Sequence, residues 1–118
     1  MKLYNIKDHS EQVNFAQAVK QGLGREQGLF FPDSIAPLAD VEGLLAKPLV
    51  ERSAIILRHL LGDELPELAQ LVANAFTFPA PLVEVGTNQY ALELFHGPTL
   101  AFKDFGGRFM AQSLMAVS

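Results

Sequence analysis

Two prolines at alternate positions, Pro79 and Pro81, interrupt the 118-residue chain and set the strongest limit on its fold. Proline fixes φ, lacks a backbone donor and pushes the preceding residue into an extended conformation, so residues 78–81 cannot be helical. The pattern before this segment is typical of helices, whereas the pattern after it starts with strands. We therefore predict an α/β chain with a helix-rich first part, residues 1–79, and a second part, residues 80–118.

The first part is predicted to open with a strand and a surface helix. Residues 1–6 suit an edge strand, because Leu3 and alternate side chains can pack inward. Residues 11–21 carry an apolar stripe at helical spacing, and Asp8 and Ser10 compete as the cap of this helix. The glycine-flanked turn at residues 24–28 lacks the preceding strand and the Lys-Ser or Lys-Thr pair of a phosphate loop, so we predict no phosphate site there.

Three further helices are predicted before the prolines. The first is short and covers residues 41–45, the second starts after Pro48 and ends at Gly62, and Asp63 caps the third. Apolar side chains of the third helix recur at helical spacing and are expected to face a core: Leu65, Leu68, Val72, Ala75 and Phe76.

Composition limits the classes of function. The chain is 49% hydrophobic and 19% charged, with a formal net charge of -4, so it lacks the basic stripe that nucleic-acid binding needs. It has no cysteine, His59 has no partner at ligand spacing, and we predict no metal site. No apolar run is long enough for a signal sequence or a membrane span, so a cytoplasmic location is expected.

The second part is predicted to deliver the chain to a lysine. Residues 82–85 and 89–95 suit two strands joined by a glycine-containing turn. The Gly97-Pro98 pair then breaks regular structure, and Asp104 can cap a helix that begins with Phe105. Lys103 therefore lies where a loop becomes a helix.

Lys103 has neighbours that favour amine chemistry. Phe102 and Phe105 flank it, and partial desolvation between these rings would favour the neutral amine, which is the nucleophilic form that makes Schiff bases. The alternative is an ordinary lysine whose stem lies along apolar rings while its ammonium group reaches water.

A family resemblance favours the first interpretation. The run from Thr99 to Gly107 (TLAFKDFGG) resembles the attachment signature for pyridoxal phosphate (PLP) that serine and threonine dehydratases share with threonine synthases. The longer phrase that starts with Glu93 (ELFHGPT) is similar to the threonine synthase family in particular. Residues 1–5 (MKLYN) and 28–32 (GLFFP) also resemble the amino-terminal part of that family, so the resemblance covers residues 1–118.

The resemblance implies a fold-type II PLP enzyme that converts O-phospho-L-homoserine and water into L-threonine and phosphate. Lys103 would attach the cofactor as a Schiff base and then act as general base and acid. Phe102 and Phe105 would shape an apolar wall, while Thr99 and Asp104 would bind substrate or shape the site, with the amides and the hydroxyl around Thr99 as donors to an anionic group.

The chain is expected to be an incomplete, amino-terminal portion of such an enzyme. It contains neither the glycine-rich loop for the cofactor phosphate nor a partner for the pyridine nitrogen, so we expect it to be inactive alone. The last predicted helix, residues 105–117, is apolar nearly all round, and we expect its exposed face to drive self-association. Two alternatives remain: part of another fold-type II enzyme, or a non-catalytic interaction module.

Overall fold

The computed structural model describes residues 1–118 and contains five strands and five α-helices. This mixture confirms the predicted α/β class. A single 3-10 turn, Arg25–Gln27, adds to them. The elements in chain order are β1 (Leu3–Asn5), β2 (Asp8–Val13), α1 (Phe15–Gln21), β3 (Phe30–Pro32), α2 (Val41–Leu45), α3 (Leu49–Leu61), α4 (Leu68–Ala75), β4 (Leu82–Gly86), β5 (Gln89–Leu92) and α5 (Lys103–Val117).

The first sheet corrects the prediction for the amino terminus. Its antiparallel order is β2-β1-β3, so β1 lies in the centre of the sheet and not at its edge. Residues 11–13, predicted as helix, belong to β2, and α1 begins only at Phe15. Asn14 caps that helix, because its side chain accepts from the Gln17 amide while the Gln17 side chain accepts from the Asn14 amide. This reciprocal capping box fixes the start of the helix in place of Asp8 or Ser10.

Asn5, in the central strand β1, links this sheet to the turn at residues 24–28. It is fully buried, and its amide nitrogen donates to Glu11 Oε1 at 2.7 Å and to the Arg25 carbonyl at 3.0 Å. A side chain at Gly28 would overlap the Asn5 amide group, so that glycine is required by close packing. The turn at residues 24–28 is therefore explained by its contacts with Asn5.

The core lies where α3 and α4 meet. Leu61, Leu65, Leu68 and Val72 form a buried cluster, as the periodicity predicts for the last three. The predicted start of this helix is wrong, because α4 begins at Leu68, after Glu67, whose φ is +55°. Asp63, the predicted cap, instead pairs with Arg58 at 2.6 Å. The connection between the helices thus carries Leu65 into the core without belonging to either helix.

The second part adds a hairpin and a long helix. β4 and β5 pair antiparallel, and β5 ends at Leu92, three residues earlier than predicted. Helix α5 packs against α1 and α4, and Phe109 and Val117 contact the core cluster. Phe109 is therefore half-buried, whereas Met110 and Met115 are exposed. No helix has the length and apolar character needed to cross a bilayer.

Candidate active site

A compact turn leads into the helix that carries Lys103. The Leu100 amide donates to the Gly97 carbonyl at 3.1 Å, and Leu100 has a φ of +64°, in the left-handed region. The Asp104 amide then donates to the Ala101 carbonyl at 3.1 Å, which starts the winding of α5. Lys103 is the first residue of this helix, so the predicted position at a loop-to-helix junction agrees with the structure.

Asp104 does not cap the helix as predicted. It lies inside the first turn of α5 and is buried. Its Oδ2 accepts from the Thr99 amide at 2.9 Å, and its Oδ1 accepts from the Thr99 hydroxyl at 2.6 Å. Asp104 therefore fastens the preceding turn to the helix. Both donors of Thr99 are used in this way, so they do not face outward as the anion site that the resemblance implies.

The charge of Asp104 is stabilised by these contacts. The hydrogen bond from the Thr99 hydroxyl makes the largest contribution to lowering the pKa of the Asp104 carboxyl. The Thr99 amide and the nearby Arg108 guanidinium lower the pKa further, while burial acts in the opposite direction. Asp104 is thus a carboxylate at neutral pH, placed in the first turn of a helix where negative charge is favoured.

Gly97 allows the turn to approach the carboxylate. This glycine is buried, and a Cβ at its position would lie 2.7 Å from Asp104 Cβ and would overlap the carboxylate. Any side chain at position 97 would push Asp104 away from Thr99.

Lys103 differs from the expectation of partial desolvation. Its side chain is exposed and takes part in no hydrogen bond or ion pair, and the neighbouring Phe102 is 64% exposed. Residues 1–118 therefore provide no packed aromatic wall around the amine. Lys103 Nζ is therefore an accessible primary amine without a hydrogen-bond partner, and a primary amine is the group that forms a Schiff base with an aldehyde such as that of PLP.

Phe105 and Arg108 anchor this helix to the first part of the chain. The Phe105 ring meets the rings of Phe76 and Phe78 edge-on, at centroid distances of 5.5 and 4.9 Å. Arg108 Nε donates to the Ala75 carbonyl at 2.6 Å, at the carboxyl end of α4. In this chain Phe105 therefore serves to pack the helix beneath Lys103.

A polar pair lies next to the turn and was not predicted from the sequence. His96 Nε2 lies 2.8 Å from Glu93 Oε1, and the imidazole lies beside the Phe95 ring at a centroid distance of 4.5 Å. The spacing of three residues is a usable signal only in a helix, and residues 93–96 are irregular.

Comparisons with known proteins agree on one family. No protein-family model matches the chain. It is 66% identical over 119 residues to threonine synthase from Haemophilus influenzae and 57% identical over 122 residues to that from Escherichia coli. The crystal structure of E. coli threonine synthase superposes with a TM-score of 0.94 at 56% identity over 99% of the chain. The structure of PLP-bound threonine synthase from Brucella melitensis superposes with a TM-score of 0.87 at 32% identity, also over 99%.

The fold of residues 1–118 matches the amino-terminal portion of PLP-dependent enzymes of known structure. Along 99% of its length the chain matches the amino-terminal portion of threonine synthases. It spans about 28% of the length of the relatives and solved structures that it matches.

Proposed function

We propose that this chain forms the amino-terminal part of a threonine synthase, a lyase that converts O-phospho-L-homoserine and water into L-threonine and phosphate in the cytoplasm. The observation that carries the proposal is the placement of Lys103, an uncommitted amine at the start of α5, in a chain that matches threonine synthases along 99% of its length. The reaction is assigned to the whole protein, and we infer that residues 1–118 alone neither bind PLP tightly nor turn over substrate.

Lys103 carries the chemistry in this proposal. PLP, when bound, supplies the electron sink for the reaction. Lys103 Nζ would hold the cofactor by condensing with its aldehyde carbon and releasing water, and, once the substrate amine has taken its place there, it would take and return protons at the substrate carbons. The turn at residues 97–102 and the packing of Phe105 hold the lysine backbone in place during these steps.

We also propose roles for the two parts of the chain and for Phe102, and a class of binding partner. Residues 1–79 are the amino-terminal domain, and residues 80–118 begin the catalytic domain. Phe102, which is exposed in this chain, is proposed to line the site in the complete enzyme. The substrate is a small molecule, and neither nucleic acid nor a membrane is involved.

Replacing Lys103 in the full-length protein tests the proposal. Lys103→Ala is expected to lower the rate of phosphate release from O-phospho-L-homoserine by a factor of roughly 10² to 10⁴ or more, because proton transfer by a placed group contributes that much. In the parent protein, borohydride reduction in the presence of PLP should add the cofactor mass to the peptide that contains Lys103. Lys20→Ala, at an exposed lysine of α1, is the matched control and should behave like the parent. Turnover of Lys103→Ala within about tenfold of the parent, about 1.4 kcal/mol in barrier height, would contradict the role of Lys103.

A further inference from the structure

We propose that Asp104 is a positioning residue for Lys103, acting through two hydrogen bonds that it accepts from Thr99. This inference rests on the proposed function, because it concerns how the attachment lysine is presented. It starts from a buried carboxylate that no step of the proposed chemistry uses.

The two hydrogen bonds close a small ring of backbone around the lysine. Thr99 and Asp104 are five residues apart, and the segment that they enclose ends with Lys103. The amide and the hydroxyl of one residue are bound by the two oxygens of the other, which fixes both the distance and the relative orientation of the two ends. The Lys103 side chain is exposed and makes no hydrogen bond or ion pair, so its location depends on the backbone that this ring holds.

The turn needs such a fastener because its backbone is unusual. Leu100 adopts a φ of +64°, which is unfavourable for a residue with a bulky side chain. The Gly97 carbonyl accepts only one backbone bond from within the turn, at 3.1 Å. A turn with these features relaxes unless neighbouring groups hold it, and the Asp104 carboxylate is the buried group in contact with it.

A carboxylate is suited to this task because both of its oxygens accept. Thr99 offers two donors, the amide and the hydroxyl, and each finds one oxygen. An asparagine at position 104 has only one acceptor oxygen, so the Thr99 hydroxyl would have to turn and accept from the asparagine NH₂ group, and the bonds would lose the contribution of the carboxylate charge. Asp104→Asn therefore loosens the turn while preserving the size of the side chain.

The experiment uses the full-length protein and compares four variants with the parent. Asp104→Asn removes the charge and one acceptor from the ring, Thr99→Val removes the hydroxyl donor, and Thr99→Ser keeps it as the conservative rescue. Ser113→Ala is the control, because Ser113 is a buried polar residue of the same helix whose hydroxyl donates to the Phe109 carbonyl at 2.9 Å, away from the turn. The readouts are hydrogen exchange of the Thr99 amide without cofactor, the rate at which PLP and borohydride label Lys103, and kcat and KM for phosphate release.

Asp104→Asn is expected to speed exchange of the Thr99 amide and to slow labelling of Lys103 about tenfold. Its kcat should fall roughly 10- to 100-fold with KM within about threefold, since small misplacements of a reacting group have effects of this size. Thr99→Val should show the same losses at smaller size, and Thr99→Ser should stay within about threefold of the parent. Thr99→Val also decides the question if Asp104→Asn folds poorly.

Three results would overturn the inference. The first is parental labelling and kcat in Asp104→Asn and Thr99→Val. The second is an equal loss in Ser113→Ala, which would mean that the effect follows general stability. The third is a failure of the parent to take PLP at Lys103, which would remove the proposed function and the positioning role with it. Labelling of Lys103 in the parent separates this third result from the first two.

Discussion

Lys103 and Asp104 are neighbours in sequence but are treated in opposite ways by the structure. The Lys103 amine is exposed and makes no hydrogen bond or ion pair, whereas the Asp104 carboxylate is buried and accepts two hydrogen bonds. The proposed roles of Lys103, holding a cofactor and moving protons, require an amine that is free and a backbone that is fixed. The division of labour between these two residues meets both needs.

The carboxylates of Asp8 and Glu11, both in strand β2, link the first sheet to the turn at residues 24–28. The Ser10 hydroxyl and the Arg25 guanidinium lower the pKa of Asp8, with the Ser10 hydrogen bond the larger contribution. The Arg25 amide, followed by the side chains of Asn5 and Gln21, lowers the pKa of Glu11. Both carboxylates thus stabilise the fold in their ionised form.

The sign of their pH dependence follows from these shifts. Because the folded-state pKa lies below the unfolded value, the unfolded chain binds more protons, and the stabilisation present above about pH 4 is lost as the pH falls through the folded-state pKa. We expect the melting temperature to decrease below about pH 4, and to decrease less steeply in Glu11→Gln. Thermal unfolding followed by circular dichroism from pH 7 to pH 2 measures this. Glu84→Gln, at an exposed residue without a polar partner, is the control and should keep the parental slope. An unchanged slope in Glu11→Gln would contradict the prediction.

Some features of individual residues could be predicted from the sequence, and others could not. The position of Lys103 at a loop-to-helix junction could be predicted, because the Gly97-Pro98 pair interrupts regular structure just before it. Its role in chemistry stays a prediction that depends on the recognisable run around it. The hydrogen bonds from Thr99 to Asp104 could not be predicted, because an aspartate that precedes a helical pattern usually indicates an N-cap residue. Only the left-handed backbone at Leu100 brings Thr99 back to the carboxylate.

At the scale of elements, Arg108 joins the two parts of the chain. Its guanidinium donates to the carbonyls of Ala75 and Asn74 at 2.6 and 3.1 Å, and so satisfies groups that the end of α4 leaves without helical partners. It also lies over the Phe78 ring, with Cζ 5.7 Å from the centroid. The arginine therefore ties α5, which carries Lys103, to the end of α4.

Arg108→Met should weaken this connection. Hydrogen bonds from charged groups contribute about 1.5 to 3 kcal/mol, so we expect the free energy of unfolding to fall by about 1 to 3 kcal/mol. Arg58→Met is the matched control, because Arg58 and its partner Asp63 are both exposed and such pairs contribute about 0 to 1 kcal/mol. Urea denaturation with comparison of midpoints measures both. Equal losses in the two variants would show that Arg108 has no special role in joining the helices.

The elements were predicted best where burial imposes a period. Helices α3 and α4 follow from apolar spacing, and Leu68 and Val72 are buried as expected. Strand β2 was missed because its sequence, DHSEQV, is mostly polar and its pairing with β1 is a non-local interaction. The strand predicted to reach Phe95 stops at Leu92, where backbone pairing with β4 ends. These misses share one cause, since strand partners cannot be read from local pattern.

The molecule as a whole is more open than its size requires. Its accessible surface is 7855 Å², against about 6,300 Å² for a compact protein of 12.9 kDa. Its radius of gyration is 16.0 Å, where about 13.5 Å is typical for 118 residues. Much of the surplus is apolar. An open groove of about 640 Å³ is lined by β1, β3, α1, α3 and α5, and includes Met110.

This surplus predicts that residues 1–118, produced alone, will self-associate through the exposed face of α5. Large uncovered apolar patches drive association, and Met110 and Met115 are 55% and 73% exposed. Sedimentation at micromolar to millimolar concentration should show dimers or larger species. Met115→Lys should shift the distribution toward monomer, whereas Ser34→Lys, which adds the same charge to an exposed loop, should not. A monodisperse parent monomer across this range would mean that α5 needs no further cover. Equal responses of the two lysine variants would instead assign the association to net charge, because only Met115 lies on the helix whose apolar face is exposed.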